Sequence, residues 1–201
     1  MTTAQAEGPV SRPSPRQDEL LELAYGYVLA HGLADMSLRP LAQAIGSSPR
    51  VLLYLFGSKD GLIRALLDRA RRDELAAIEA LREDPASADL AETARQVWWW
   101  LADPEHRHLL GLWVEAYGRS LADPGGPWAG FAAQTVQDWL ELLASRQPPE
   151  LCRSSAGTAQ RTAVLGALRG VMLDLLATGD AERTGEAVEQ IVAALRSESR
   201  A

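Results

Sequence analysis

Cysteine, lysine and asparagine are almost missing from the 201-residue chain, which has one Cys, one Lys and no Asn. A lone Cys152 cannot build a disulfide framework. Lys and Asn codons are A-rich, so their scarcity points to a GC-rich genome. Long apolar runs are lacking too. The longest, such as Val97 to Ala102, reach six residues or so, far short of the roughly 20 that cross a bilayer. The N-terminus, MTTAQAEGPVSRPSPRQ, is polar and proline-rich with no apolar segment, which does not read as a secretory signal. A cytoplasmic chain with no membrane partner is the expectation. Catalytic signatures are missing as well: there is no G-x-S-x-G, no G-x-G-x-x-G, no H-E-x-x-H and no Cys pair. His106 and His108 stand two apart and diverge by about 200° on a helix, so they cannot share a metal. No enzymatic activity, metal or cofactor is expected.

What is present is ordinary globular material, 47% hydrophobic and 23% charged, enough for one large helical domain or a small module joined to a medium one. The net charge of −7 hides an asymmetry. Residues 1–72 carry nine Lys/Arg against seven Asp/Glu, net +2, while residues 73–201 carry net −9. A polyanion would meet the first third and be repelled by the rest. Proline and glycine cut the chain into helical lengths, and no alternating Val/Ile/Thr run predicts a strand, so the fold class is all-α. Helices are predicted from about Arg16 to His31, from Ser37 to Gly46, from Ser48 to Gly57 with Pro49 at the first helical position, and from Ser58 to about Asp84. Downstream, helices are expected at roughly 89–102, 105–121, 128–145, 158–178 and 181–197. The last two form an antiparallel hairpin across Gly179-Asp180.

Two short helices joined by a tight turn, in the most basic part of an acidic chain, are what a helix-turn-helix requires. The segment SLRPLAQAIGSSPRVLLYLFGSKDGLIRALL, Ser37 to Leu67, resembles the DNA-binding segment of the TetR family of bacterial transcription regulators. The residues that carry the likeness are Ser37, Arg39, Leu41, Ala42, Gly46, Ser48, Leu52, Phe56, Ser58, Lys59, Asp60 and Leu62. The position of Leu53 is usually aromatic in that family, and Pro49, Arg50 and Val51 also depart from its usual small and polar residues. The resemblance implies a disordered arm at 1–15, a DNA-binding domain at 16–60 and a helical ligand-binding and dimerisation domain at 61–201. It implies a DNA operator, a second copy of the chain and a small hydrophobic effector as partners. The DNA-contacting candidates are Ser37, Arg39, Pro49, Arg50, Val51, Tyr54 and Lys59. Arg39 and Arg50 offer guanidinium forks for guanine edges, and Lys59 at a helix start suits a phosphate.

Five of six tryptophans lie between Trp98 and Trp128. They form either core or the wall of a ligand pocket. Trp99 points away from the apolar stripe of Leu90, Ala94, Val97, Trp98 and Leu101, toward another layer, a partner or water. The next helix has almost no polar face, which predicts burial all round, with Glu115 inside it. That carboxylate either pairs with Arg119 at i+4 or anchors a ligand among aromatics. The candidate ligand residues are Trp98, Trp113, Glu115 and Tyr117. The stripes of the last two helices nominate Leu165, Leu168, Met172, Leu175, Val188, Ile191 and Leu195 as a dimer interface. The reading is a ligand-responsive repressor acting as a homodimer on a palindromic operator. An activator of the same architecture, or a helical small-molecule binding protein or enzyme with a vestigial helix-turn-helix, are the alternatives.

Overall fold

Ser14, Ser48, Ser58, Asp89 and Ser154 each stand in extended backbone just ahead of a helix, with the side chain accepting a hydrogen bond from the amide three residues on. These caps satisfy donors that a helix start would otherwise leave orphaned, and they fix where the helices begin. The computed structural model describes residues 14–33, 36–84 and 89–198. In chain order the helices are α1 (Pro15–His31), α2 (Leu38–Ala44), α3 (Pro49–Phe56), α4 (Lys59–Glu83), α5 (Leu90–Ala102), α6 (Arg107–Ala122), α7 (Phe131–Ala144), α8 (Pro149–Cys152), α9 (Ser155–Thr178) and α10 (Ala181–Glu198), with one 3-10 turn at Pro104–His106. The fold is all-α, as the sequence predicts. Among the described residues no helix is long and apolar enough to cross a membrane.

Several boundaries differ from expectation for local reasons. The arm predicted at 1–15 lies outside the described residues up to residue 13, and Pro15 already opens α1. Ser37 occupies the N-cap position of α2 but its hydroxyl makes no cap bond. The helix ends at Ala44, and Gly46 turns the chain with a φ of +66°. Trp128 is buried within the turn before α7, so that helix starts later, after Gly130 at φ +78°. Pro149 sits at the first position of the short helix α8, where its missing N–H costs nothing. Gln147, buried beside it, donates to the Gly157 carbonyl at 2.9 Å and ties the start of α9 to this corner. α6 is not buried all round: Leu110, Leu112, Ala116 and Ser120 are covered, while Gly111, Gly118 and Arg119 face outward.

Two apolar clusters organise the chain. In the head, Leu20, Ala24 and Val28 of α1, Leu41 of α2, Leu52 of α3 and Leu62, Leu66 and Ala70 of α4 close on one another, joined by Leu112 and Ala116 of α6. In the body, Ile78 and Leu81 at the far end of α4 meet α5, α7, α9 and α10. α4 therefore runs through both clusters, and α6 is the body helix on which the head rests. Tyr25 donates to Asp73 at 2.8 Å and stacks under Arg69, which also binds Asp73 and Glu22, locking α1 to α4.

α10 turns back on α9 at Gly179 and packs chiefly on α5. Leu165, Leu168, Met172, Leu175, Val188 and Leu195 are between 0% and 8% exposed and belong to the body's own core. Their assignment to a dimer interface is corrected on that ground: the protomer itself consumes those stripes, with Arg95 of α5 forked onto Glu189 of α10 at 2.8 and 2.7 Å beside them. Ile191 alone of the seven is half-buried.

Candidate functional site

Leu52 anchors α3 in the head at 1% exposure, and the opposite side of that short helix is consequently turned outward. Tyr54 is 86% exposed and Val51 39%. Around them, Ser37 and Arg39 at the start of α2, Arg50 on α3 and Lys59 at the first position of α4 are all exposed, and Pro49 is half-buried. The seven DNA-contacting candidates therefore lie on α3 and at the starts of α2 and α4. Leu53, at 41% exposure, joins them although the sequence reading left it out. Among the described residues Arg39, Arg50 and Lys59 make neither an ion pair nor a side-chain hydrogen bond. Elsewhere arginines are mostly tied down, as Arg71 is to Asp138 at 2.7 Å and Arg183 to Asp174 at 2.7 Å.

The corner between α3 and α4 leaves no space for a side chain at Gly61. A Cβ there would stand 2.0 Å from the Phe56 carbonyl oxygen. The close approach holds the first turn of α4 against the end of α3.

The body holds a cavity of about 40 Å³ between α4, α5, α6, α7 and α9. Leu109, Trp100, Trp113, Trp139, Leu168 and Met172 contribute to its wall, which is almost all carbon, and Glu74 and Arg169 are the charged residues along it. Glu74 is 4% exposed. Its Oε1 accepts from Trp139 Nε1 at 2.6 Å and its Oε2 from Thr135 Oγ1 at 3.0 Å. Burial pushes its carboxyl above the usual range, and those two hydrogen bonds pull part of the way back. Arg169 lies over the rings of Trp113 and Tyr117, 5.1 and 5.3 Å from their centroids. Burial draws its guanidinium below its ordinary value.

Three of the four ligand candidates stand elsewhere. Trp98 is 4% exposed in the body core, near Gly185 of α10, because the α5 stripe faces that helix. Tyr117 packs tilted against Trp113, ring centroids 5.0 Å apart, and does not line the cavity. Glu115 points the other way, into the groove between α1 and α6, where Oε2 accepts from the Leu33 amide at 2.9 Å and Oε1 stands 3.5 Å from Arg119 Nε. Its pairing with Arg119 is as the helical spacing predicts, and its main bond is to the head. Trp113 alone reaches the cavity. Glu74, Trp100, Trp139 and Arg169 were not nominated, since they come from four helices and no short-range spacing unites them. Trp99 is 56% exposed, as its angle on α5 predicts. Among the described residues no cluster of three or more His, Cys, Asp or Glu side chains could hold a metal ion.

No protein-family model and no curated protein matches the sequence. Solved structures do match. The multidrug binding protein EbrR in complex with imidazole is 26% identical, with 89% of this chain and 90% of that one covered and a TM-score of 0.62. EbrR in complex with ethidium gives 25% identity, 88% and 98% coverage and a TM-score of 0.62. A TetR transcription regulator from Haloarcula marismortui ATCC 43049 is 18% identical, with 88% and 94% coverage and a TM-score of 0.67. The chain is thus built as an all-helical protein with a small head on a larger body. Specifically, it has the fold of the TetR-family regulators over about 90% of its length.

Proposed function

We propose that the chain is a cytoplasmic, effector-responsive repressor that binds a palindromic operator as a homodimer. The observation that carries the reading is the outward group of Arg39, Arg50, Tyr54 and Lys59, cations without carboxylate partners gathered on one end of an acidic protein. A solvated side chain needs no partner, but three unpaired cations flanking a short helix whose inner face is buried match the way such motifs meet DNA. Residues 16–60 form the DNA-binding domain and residues 61–201 the domain that binds the effector and the second copy. Arg39 and Arg50 read base edges, Tyr54 and Val51 lie against the groove, and Ser37, Pro49 and Lys59 meet the backbone. The hydroxyl of Ser37, free of any capping bond, is available to a phosphate oxygen.

Dimerisation uses the outer face of α9, where Ala163, Gly166, Gly170, Leu173 and Ala177 repeat at intervals of three and four and are all exposed. A Cβ at Gly166 or Gly170 would meet nothing within 4 Å, so the protomer itself does not require glycine there. Each mid-helix glycine costs about 1 kcal/mol relative to alanine. Close approach of a second α9 supplies the reason for keeping them, with Ile191 of α10 at the edge. The effector enters the body cavity, following the likeness to a protein solved with ethidium. Its influence reaches the head through α6, which carries both the cavity-lining Trp113 and the Glu115 bond to Leu33.

Selection of bound sequences from a random DNA pool at fixed salt tests the reading. An enriched inverted repeat is the expected result, with half-sites about one helical turn apart or somewhat more. Enrichment of nothing beyond random DNA overturns it.

A further inference from the structure

The charge of the effector can be read from the cavity, on the reading that the cavity is the effector site. Arg169 makes no hydrogen bond or ion pair among the described residues, and its Nη2 is shut off from solvent with no acceptor in reach. A buried charge without a partner is costly, and the faces of Trp113 and Tyr117 offset only part of that cost. Glu74 lies along the same cavity, and its field offsets part of that cost without making a direct contact. Its two oxygens accept from Trp139 and Thr135, and no Glu74–Arg169 ion pair forms among the described residues. Burial also favours its uncharged form. The site therefore holds a satisfied acid and an unsatisfied cation, within walls made almost wholly of carbon.

We infer that the effector is a flat aromatic carboxylate, its oxygens paired with the Arg169 guanidinium and its ring between Trp100, Trp113 and Met172. The planar fork of arginine matches a carboxylate in two places at once. The ligand must enlarge the present cavity of about 40 Å³. Met172, unbranched and flexible, is the wall residue best able to move. This chemistry is opposite in sign to ethidium and proflavin, the cations found with EbrR.

The test is calorimetric titration of the full-length protein with 2-naphthoate, naphthalene-2-carboxamide and proflavin. The first two share a ring system and differ in charge, so the comparison needs no variant to fold. The expected result is that 2-naphthoate binds about 10- to 100-fold more tightly than the carboxamide, the range of one charge-assisted hydrogen bond. Arg169→Met should abolish that preference by weakening 2-naphthoate alone. Should the carboxamide or proflavin bind as tightly as 2-naphthoate, and Arg169→Met change neither, the anion assignment is overturned while the cavity reading stands. Should no probe bind, or all bind equally well to a folded Ala116→Leu variant that fills the cavity, the cavity reading is overturned and the anion with it.

Discussion

The outer corner of the head leaves its cations unpaired, whereas most of the body's are paired, Arg169 in the cavity wall being an exception. In the body, arginines close internal accounts of charge: Arg95 joins Glu92 and Glu189, Arg183 joins Asp174 and Asp180, and Arg196 returns to Glu92. In the head, Arg39, Arg50 and Lys59 are left over. The net charge of −7 therefore says little about partners, since much of the acidic excess sits in a region remote from the basic corner. The difference also separates two kinds of site. The head's residues cluster because caps and turns a few residues long put them together, whereas the body's cavity exists only once five helices have packed.

The comparison breaks most severely if the two faces of α9 are confused. Leu168 points inward at 1% exposure, so Leu168→Ala should cost about 2–5 kcal/mol of stability, read by chemical denaturation, whatever the oligomeric state. Gly170 points outward into open space. Gly170→Glu should leave the protomer folded by circular dichroism and convert a dimer to a monomer in sedimentation. A Gly170→Glu protein that remains dimeric would place the interface off this face.

The head can be damaged alone through its tightest contact. Gly61→Ala sets a methyl against the Phe56 carbonyl, and backbone is not able to yield as a flexible side chain can. The expected cost lies toward the upper end of the ~1–3 kcal/mol of overpacking. Operator binding should be lost while the near-ultraviolet signal of Trp98, Trp100 and Trp139, which lie in the body's core, is largely kept. Retained operator affinity would show that the α3–α4 corner tolerates displacement.

Within the intact head, the free cations should divide by role. Arg50→Ala should cost about 1–3 kcal/mol on the selected operator and relax one position per half-site, whereas Lys59→Ala should weaken specific and random DNA alike and lower the salt slope by about one. Binding titrations on both DNAs at several salt concentrations separate the two. Equal losses for both variants on both DNAs would remove the division between reading and positioning.

How far the sequence could be read follows the same line. Ser48 and Ser58 cap where the sequence puts them, and Gly57 ends α3 with a φ of +76°, because capping depends on three or four neighbouring residues. The stripes on α9 and α10 were legible as apolar, but not as belonging to the protomer's own core, since periodicity gives a buried face without saying what buries it. Glu115 shows the limit clearly. Its helix and its Arg119 partner were readable, yet its stronger bond is to an amide 82 positions away. Glu74 was invisible for the same reason: nothing in KDGLIRALLDRARRDELAAIEALRE marks one carboxylate among several as the one that Trp139 and Thr135 will cover.

That covered carboxylate supplies the smallest of the expected effects and the finest test of the body's half of the comparison. Glu74→Gln keeps an acceptor for Trp139 and can donate to Thr135, so the packing should survive the change. The carboxyl's value is raised in the fold by burial, which means that folding favours the protonated form. The stability it contributes is therefore fully present below the ordinary glutamate range and is lost as pH rises through the folded value. Relative to Glu74→Gln, the wild type should lose stability as pH rises above the ordinary glutamate range, with the two curves closest at the acid end. The two hydrogen bonds that hold the charged form limit the size of the effect without changing its sign. Denaturation midpoints for both proteins across that range provide the measurement. A difference that grows toward acid instead would mean that those hydrogen bonds outweigh burial, leaving Glu74 a standing anion along the cavity and a cation its more fitting guest.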